Sequence, residues 1–409
     1  MHLYNWIILL FIMFSSCAND INELNDDDTP DLRTLSSEEQ SLAKSSNAFV
    51  INLLKELEKT EEENLFFSPL SIQYALSMTL NGANDETFNS IKEVLDVNDL
   101  NENEINEAFK SLSEFLLNVD KQVLLTIANS IWYEQKLTAA ESFKKAMHVY
   151  YNAEVSGLDF RSEQSVNTIN NWVDTKTNGL IDKLINEIPD DAVMYLINAI
   201  YYKALWKYPF DKANTNNAPF YLEDNTEIEA LMMHSEEVTV DYYVNETTHV
   251  IDIPYGNGQF SMMVLLPLEG KKTGDVLEIL DKESIENWNS SIRPTDVELF
   301  MPKFKIEYKA LLNETLSNMG MEIAFTDRAD FTRLFEEKYG LMISKVIHKA
   351  VIEVNEEGTE AAAVTGVEVS LTSLPPKKPV LTLNRPFIFL IKEKHTGAIL
   401  FAGKLSNPD

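Results

Sequence analysis

A chain of 409 residues, 44% of them hydrophobic, is long enough to bury a core that sustains itself. Its formal charge of −31, from 34 basic against 65 acidic residues, excludes nucleic acid and anionic membrane surfaces as partners, because both need clustered Lys and Arg. The acidity suits solubility and mutual repulsion, so the chain is expected to act as a monomer. One cysteine, Cys17, excludes an intrachain disulfide and leaves stability to packing. No internal repeat and no Gly/Ser-rich or Pro-rich linker follows about residue 40, which indicates a single large folded unit.

The front end reads as an address. Trp6 to Phe14 (WIILLFIMF) is an apolar run too short for a membrane-spanning helix of ~20 residues, and it fits the apolar region of an export signal. Ser15, Ser16 and Cys17 follow. The arrangement resembles a bacterial lipoprotein signal, in which Cys17 would be lipidated and become the new N-terminus. The preceding MHLYN has no Lys or Arg, a departure that leaves an ordinary cleaved signal as the alternative. The stretch around Asp26, Asp27 and Asp28 is too acidic and too poor in large apolar residues to fold. The expected division is a signal over 1–17, an acidic flexible tether over 18–38 and one domain over 39–409. The protein would then be exported, held at a membrane only through its lipid, or otherwise secreted.

Leu42, Phe49, Leu53 and Leu57 recur at helical spacing with Val50 and Leu54 beside them, so the domain opens with an amphipathic helix. Ser68 followed by Pro69 is a hydroxyl cap and a first-turn proline, and predicts a helix through Ala75, Leu76 and Met78 that stops at Gly82. Further helices are expected near 102–118 and 163–178, the second ending at Gly179. Strand-type runs cover Val123 to Tyr133, Val193 to Leu205, Phe260 to Leu266, Val297 to Phe304, Leu341 to Val354 and Val380 to Lys392. Helices in the first half and strands toward the end indicate an α+β fold, not alternating βα units.

The segment 355–376 (NEEGTEAAAVTGVEVSLTSLPP) has the pattern of a strand without its propensity. Thr359, Ala361, Ala363, Thr365, Val367 and Val369 form one alternate set, small and uncharged. Glu360, Ala362, Val364, Gly366, Glu368 and Ser370 form the other and hold both acids, and successive strand side chains point to opposite faces. Three alanines and Gly366 are weak strand formers, with Gly358 at one end and Pro375-Pro376 at the other. Taken alone, the stretch is also compatible with an Ala-rich helix or a surface linker.

Glu356-Glu357-Gly358-Thr359-Glu360-Ala361-Ala362-Ala363 resembles the proximal hinge of inhibitory serpins. Similar blocks occur in the expected order at Phe67-Ser68-Pro69-Leu70-Ser71-Ile72, Asn171-Trp172-Val173, Thr177-Asn178-Gly179, Asn198-Ala199-Ile200-Tyr201-Tyr202-Lys203, Trp206, Val264-Leu265-Leu266-Pro267, Ala329-Asp330-Phe331, Ser344-Lys345-Val346-Ile347-His348-Lys349-Ala350 and Asn384-Arg385-Pro386-Phe387. Asp85 and Ala204 stand where glycine is usual. The resemblance implies helices packed on a large mixed or antiparallel sheet, further smaller sheets and an exposed reactive loop at about 356–376.

It also implies a suicide-substrate inhibitor that is cut in this loop and then inserts it into the main sheet, a behaviour known for the family. Thr359 is expected at the exposed edge of the uncut loop. Family spacing puts the scissile bond at Thr372–Ser373. Thr372, with Leu371 before it, suits an elastase-like serine protease. A shift to Leu371 or Leu374 would suit a chymotrypsin-like enzyme, and a cysteine protease is a further alternative. Ser68, Ser71, Asn198 and His348 resemble the polar cluster beneath the sheet, and Trp206 the tryptophan where insertion begins. The other readings are a non-inhibitory member used for carriage, storage or chaperoning, and a hydrolase. For a hydrolase the sequence offers no Gly-x-Ser-x-Gly elbow, no phosphate-binding glycine loop and six histidines without ligand spacing. No metal or cofactor is expected.

Overall fold

The computed structural model describes residues 32–61, 63–190, 192–359 and 378–409. The first helix spans Ser37–Glu58 and buries Leu42, Phe49, Val50, Leu53, Leu54 and Leu57, the face that the spacing predicts. Its start lies further forward than expected. Ser36 caps it in a reciprocal capping box with Glu39. Arg33 pairs with Glu39, donates to Ser111 Oγ at 2.9 Å and lies over the Phe115 ring. Its carbonyl accepts from His395 Nε2 at 2.7 Å. The Arg33 guanidinium holds the Glu39 carboxyl down to about 2, against the opposing effect of burial. Arg33 and Ser36, within the span expected to be tether, are thus bound to the folded body.

Ser68 caps the helix Pro69–Leu80 through the Ser71 amide, with Pro69 in the first turn. Helices Glu102–Leu116 and Glu163–Lys176 follow where the sequence places them. Asn178 and Gly179 then adopt positive φ. Helices Asp85–Val94 and Glu141–Tyr151 were not anticipated. Asp85 itself has φ +45, the left-handed backbone that makes glycine the easy residue there.

Among the described residues the strands form two sheets. One has nine strands, and its central strands Thr248–Pro254, Phe260–Pro267, Phe387–Glu393 and Ile399–Leu405 are almost wholly buried. The other has six, in the order Phe304–Leu311, Ile347–Val354, Gly358–Thr359, Met194–Leu205, Val123–Glu134, Glu154–Leu158. The six-stranded sheet is covered on both faces. One face meets the main core, while Trp132 and Ile197 join Ile169, Val173, Ile181, Leu184 and Ile185 in a smaller core beneath the helix Glu163–Lys176 and the segment after it.

Two expected strand runs divide and a third begins late. Val297 to Phe304 breaks at Lys303, where the chain leaves the strand Arg293–Pro302 of the larger sheet for Phe304–Leu311 of the smaller. Leu341 to Val354 is a strand only from Ile347, because the Asn313 side chain takes up Ser344 O and the Val346 amide instead. Val380 to Lys392 separates into Val380–Thr382 and Phe387–Glu393 around Arg385, whose guanidinium donates to Pro267 O. The 18-residue strand Glu227–Val244 escaped the sequence reading, because its register shifts between Ser235 and Val238 and four of its residues are glutamates.

Candidate functional site

The strands Met194–Leu205 and Ile347–Val354 are not neighbours in their sheet. The two residues Gly358–Thr359 lie between them, antiparallel to both, with Thr359 opposite Ala204 on one side and Val354 on the other. Farther along the gap a cavity of about 130 Å³ opens, lined by both strands and by Ser68, Ser71, Ile181 and Leu184. The sheet thus holds a place for one more strand, occupied at one end.

Asn355 to Gly358 form the turn into that place. Asn355 N donates to Gly358 O at 3.0 Å, and Asn355 Oδ1 accepts from Glu357 N at 3.0 Å. Gly358 has φ +150, and a Cβ there would stand 2.1 Å from Ala204 O and 2.7 Å from Leu205 Cα. Only glycine fits this approach. Trp206 and Phe210 donate their amides to Glu357 O and Glu356 O, each at 2.8 Å, and the Trp206 indole donates to Asn355 O at 2.9 Å.

Glu356 is 4% exposed. Its carboxylate meets Lys303 Nζ at 2.9 Å and accepts from Thr215 Oγ1 at 2.8 Å. Burial pushes its pKa up, but the hydrogen bonds from Lys303, from its own backbone and from Thr215 outweigh that and hold it below the usual carboxylate range. Lys303 reaches this position because it is the corner between the two sheets. Lys212 pairs with Glu357 at the surface, a contact that solvent keeps weak.

The expectation that Thr359 lies at an exposed edge is overturned. Thr359 is 4% exposed, and its hydroxyl shares a 2.8 Å hydrogen bond with Tyr255 OH. A sheet with an open place at this end takes the first small side chain of the hinge before any cut. Glu360, Ala361, Ala362, Ala363, Leu371, Thr372 and Ser373 lie outside the described residues, as does Cys17.

The polar cluster assembles in part. His348 Nε2 accepts from Ser68 N at 3.1 Å, Ser68 Oγ accepts from Ser71 N and donates to Leu400 O, and Ser71 Oγ donates to Asn198 O at 3.3 Å. Asn198 takes part through its carbonyl. Its side chain donates across the sheet to Asn129 Oδ1 at 2.7 Å, and Asn129 donates to Tyr151 O. Trp206 does not join this cluster. It stands eight residues along the strand from Asn198, ~26 Å at strand rise, and stacks on Tyr255 with ring centroids 4.3 Å apart. The sequence reading missed Asn129, Thr215, Tyr255 and Lys303. A polar Asn inside the apolar run VLLTIANSIWY was the available signal for Asn129. For the other three, nothing local distinguishes them.

Fold and site define an α+β protein whose split sheet receives the start of its own loop as a strand. Comparison with known proteins gives the class a name. The family model described as Serpin (serine protease inhibitor) matches residues 44–408. Serpin B4 of Homo sapiens is 35% identical over 391 residues, covering 90% of this chain and 100% of the relative. Iripin-2 of Ixodes ricinus is 33% identical, covering 90% and 94%. Among solved structures, the thermophilic serpin tengpin in its native state has a TM-score of 0.83 at 33% identity, over 92% of this chain and 95% of that one. Human thyroxine-binding globulin with its ligand also reaches 0.83, at 31% identity over 91% and 100%. The chain belongs to the serpin family and is therefore not a hydrolytic enzyme.

Burial lowers the His348 pKa to about 4. Nε2 accepts a backbone N–H, so the neutral ring carries its proton on Nδ1. The unfolded chain regains a value near 6.5 and binds a proton that the native state refuses. The neutral-His contribution to stability is thus complete above about pH 6.5 and is lost as pH falls toward 4, by roughly 3 kcal/mol. His348→Gln stays neutral throughout. Urea unfolding of both proteins should show the wild type losing stability faster between pH 6.5 and 4.5, whereas parallel curves would contradict a buried neutral ring.

Proposed function

We propose that this protein is an irreversible suicide-substrate inhibitor of an elastase-like serine endopeptidase. The observation that carries the reading is the hinge strand Gly358–Thr359, which lies between Met194–Leu205 and Ile347–Val354 and is antiparallel to both, the direction an inserted strand would take. The protease serine would attack the Thr372 carbonyl carbon, the amide to Ser373 would break with Ser373 leaving as the new amine, and an ester would join Thr372 to the enzyme. Fourteen further strand steps of ~3.3 Å beyond Gly358 amount to about 46 Å of travel for the attached enzyme. Insertion then competes with hydrolysis of the ester. The inward set of the loop, Thr359, Ala361 and Ala363, is small enough for the sheet interior.

The loop has no Lys or Arg from Val364 to Pro376, so an elastase-like enzyme should be trapped near one-to-one while trypsin should not. Mass spectrometry should find the released peptide beginning at Ser373. Thr359→Arg must either bury a cation beside Tyr255 or hold the hinge out of the sheet, and an unpaired buried charge costs several kcal/mol. That variant should be cut at the same bond without forming a complex that survives boiling in detergent, since each ~1.4 kcal/mol on the insertion barrier slows the step tenfold. A stoichiometric covalent complex from Thr359→Arg would refute the insertion reading. Failure of the wild type to trap any serine or cysteine protease would favour a carrier role of the kind that the name thyroxine-binding globulin describes for its structural neighbour.

The proposed setting is export, with residues 1–17 as the signal, Cys17 as the lipid attachment point and the acidic residues after it as a leash to the body. Among the described residues no helix is long and apolar enough to cross a membrane. Cys17→Ser should move the protein from the membrane fraction to the soluble one. Equal distribution of mutant and wild type would refute the anchor.

A further inference from the structure

We propose that Tyr255 is a positioning residue for inhibition, a fixed latch whose hydroxyl holds Thr359 in the sheet so that insertion starts from a seated hinge. The proposal rests on the inhibitory reading and extends it to a residue outside the loop.

The ring of Tyr255 cannot follow a moving loop, because its surroundings are fixed from three sides. Tyr255 N donates to Phe260 O at 2.9 Å, Gly256 N to Leu205 O at 2.9 Å and Lys207 N to Pro254 O at 2.9 Å, so Tyr255 straddles the two sheets. The turn after it is held by Asp120, which accepts from Asn257 N at 3.0 Å. The side chain is fully buried, stacked on Trp206 and met edge-on by Tyr202 at 5.7 Å. Its hydroxyl then has Thr359 Oγ1 at 2.8 Å.

A buried hydroxyl left without a partner is costly, whereas losing both partners together is nearly neutral. Removing one hydroxyl therefore penalises the seated hinge, where the other is left buried and unpaired. Seating also means that the first pairings, Gly358 with Leu205 and Thr359 with Ala204, exist before the protease arrives. Insertion then proceeds by extending a strand whose start is already formed, and it gains on ester hydrolysis.

Four variants of the full chain test this: Tyr255→Phe, Thr359→Val, the double variant, and Thr359→Ser, which keeps the hydroxyl. Amide exchange at Trp206 and Phe210, whose N–H groups are bound by the hinge carbonyls, reports seating without any protease. Incubation with an elastase-type serine protease reports the ratio of trapped to merely cleaved inhibitor. Each single variant should speed exchange at these amides roughly fivefold and lower the trapped-to-cleaved ratio by a similar factor. Thr359→Ser should behave as wild type, and the double variant should be no worse than either single one. Wild-type exchange in both single variants, or a lowered melting temperature with exchange and partition unchanged, would overturn the latch. If the wild type traps nothing, the inhibitory reading fails by itself, and the exchange rates still decide whether Tyr255 holds the hinge.

Discussion

At Gly358 the backbone of the hinge lies directly against the end of another strand, so close that a Cβ would meet Ala204 O at 2.1 Å. The rest of the site depends on this approach. It lets Thr359 pair on both sides, brings Glu356 and Glu357 within reach of the Phe210 and Trp206 amides, and turns the chain toward the cavity. A larger residue would hold the strand off by more than a hydrogen bond can span. The entrance to the sheet is therefore set by the absence of one methyl group.

The opposite problem, a buried carboxylate, is solved a few residues earlier. Glu356 would be an expensive group beneath the surface were it not met by Lys303 and Thr215. Lys303 ends the strand Arg293–Pro302 and precedes Phe304–Leu311, so the hinge is tied to the point where the two sheets exchange the chain.

Beneath the open part of the sheet a polar cluster sits within a mainly apolar lining, and one of its atoms, Asn198 Oδ1, is buried without a partner. Ser68, Ser71 and His348 bind one another and backbone groups, and Asn198 with Asn129 extends the network across two paired strands to Tyr151. Tyr151 OH donates in turn to Asn106, which exchanges hydrogen bonds with Asn81. Such a network resists the loose repacking that an apolar interface allows, because each slip leaves a donor or acceptor unpaired. A sheet that keeps a place open for a strand needs this kind of restraint under it.

The sequence by itself determined much of the scaffold. The periodicity of Leu42 to Leu57, the Ser68-Pro69 start and the apolar runs at 123–133 and 193–205 are local signals, and each produced the expected element, the two strands within a residue. The alternation of small residues from Thr359 is a pattern of the same kind, of which only Thr359 lies among the described residues. Only the tertiary structure decided whether that strand had begun to enter its sheet, because entry depends on a vacancy between strands about 150 residues apart in the chain. The same holds for the break at Lys303, for the residues that hold the hinge and for the separation of Trp206 from the polar cluster. Tyr255, Thr215 and Lys303 matter through partners 50 to 150 residues away, and hydrogen bonds at such separations follow from how the sheets close, which no local pattern of side chains encodes.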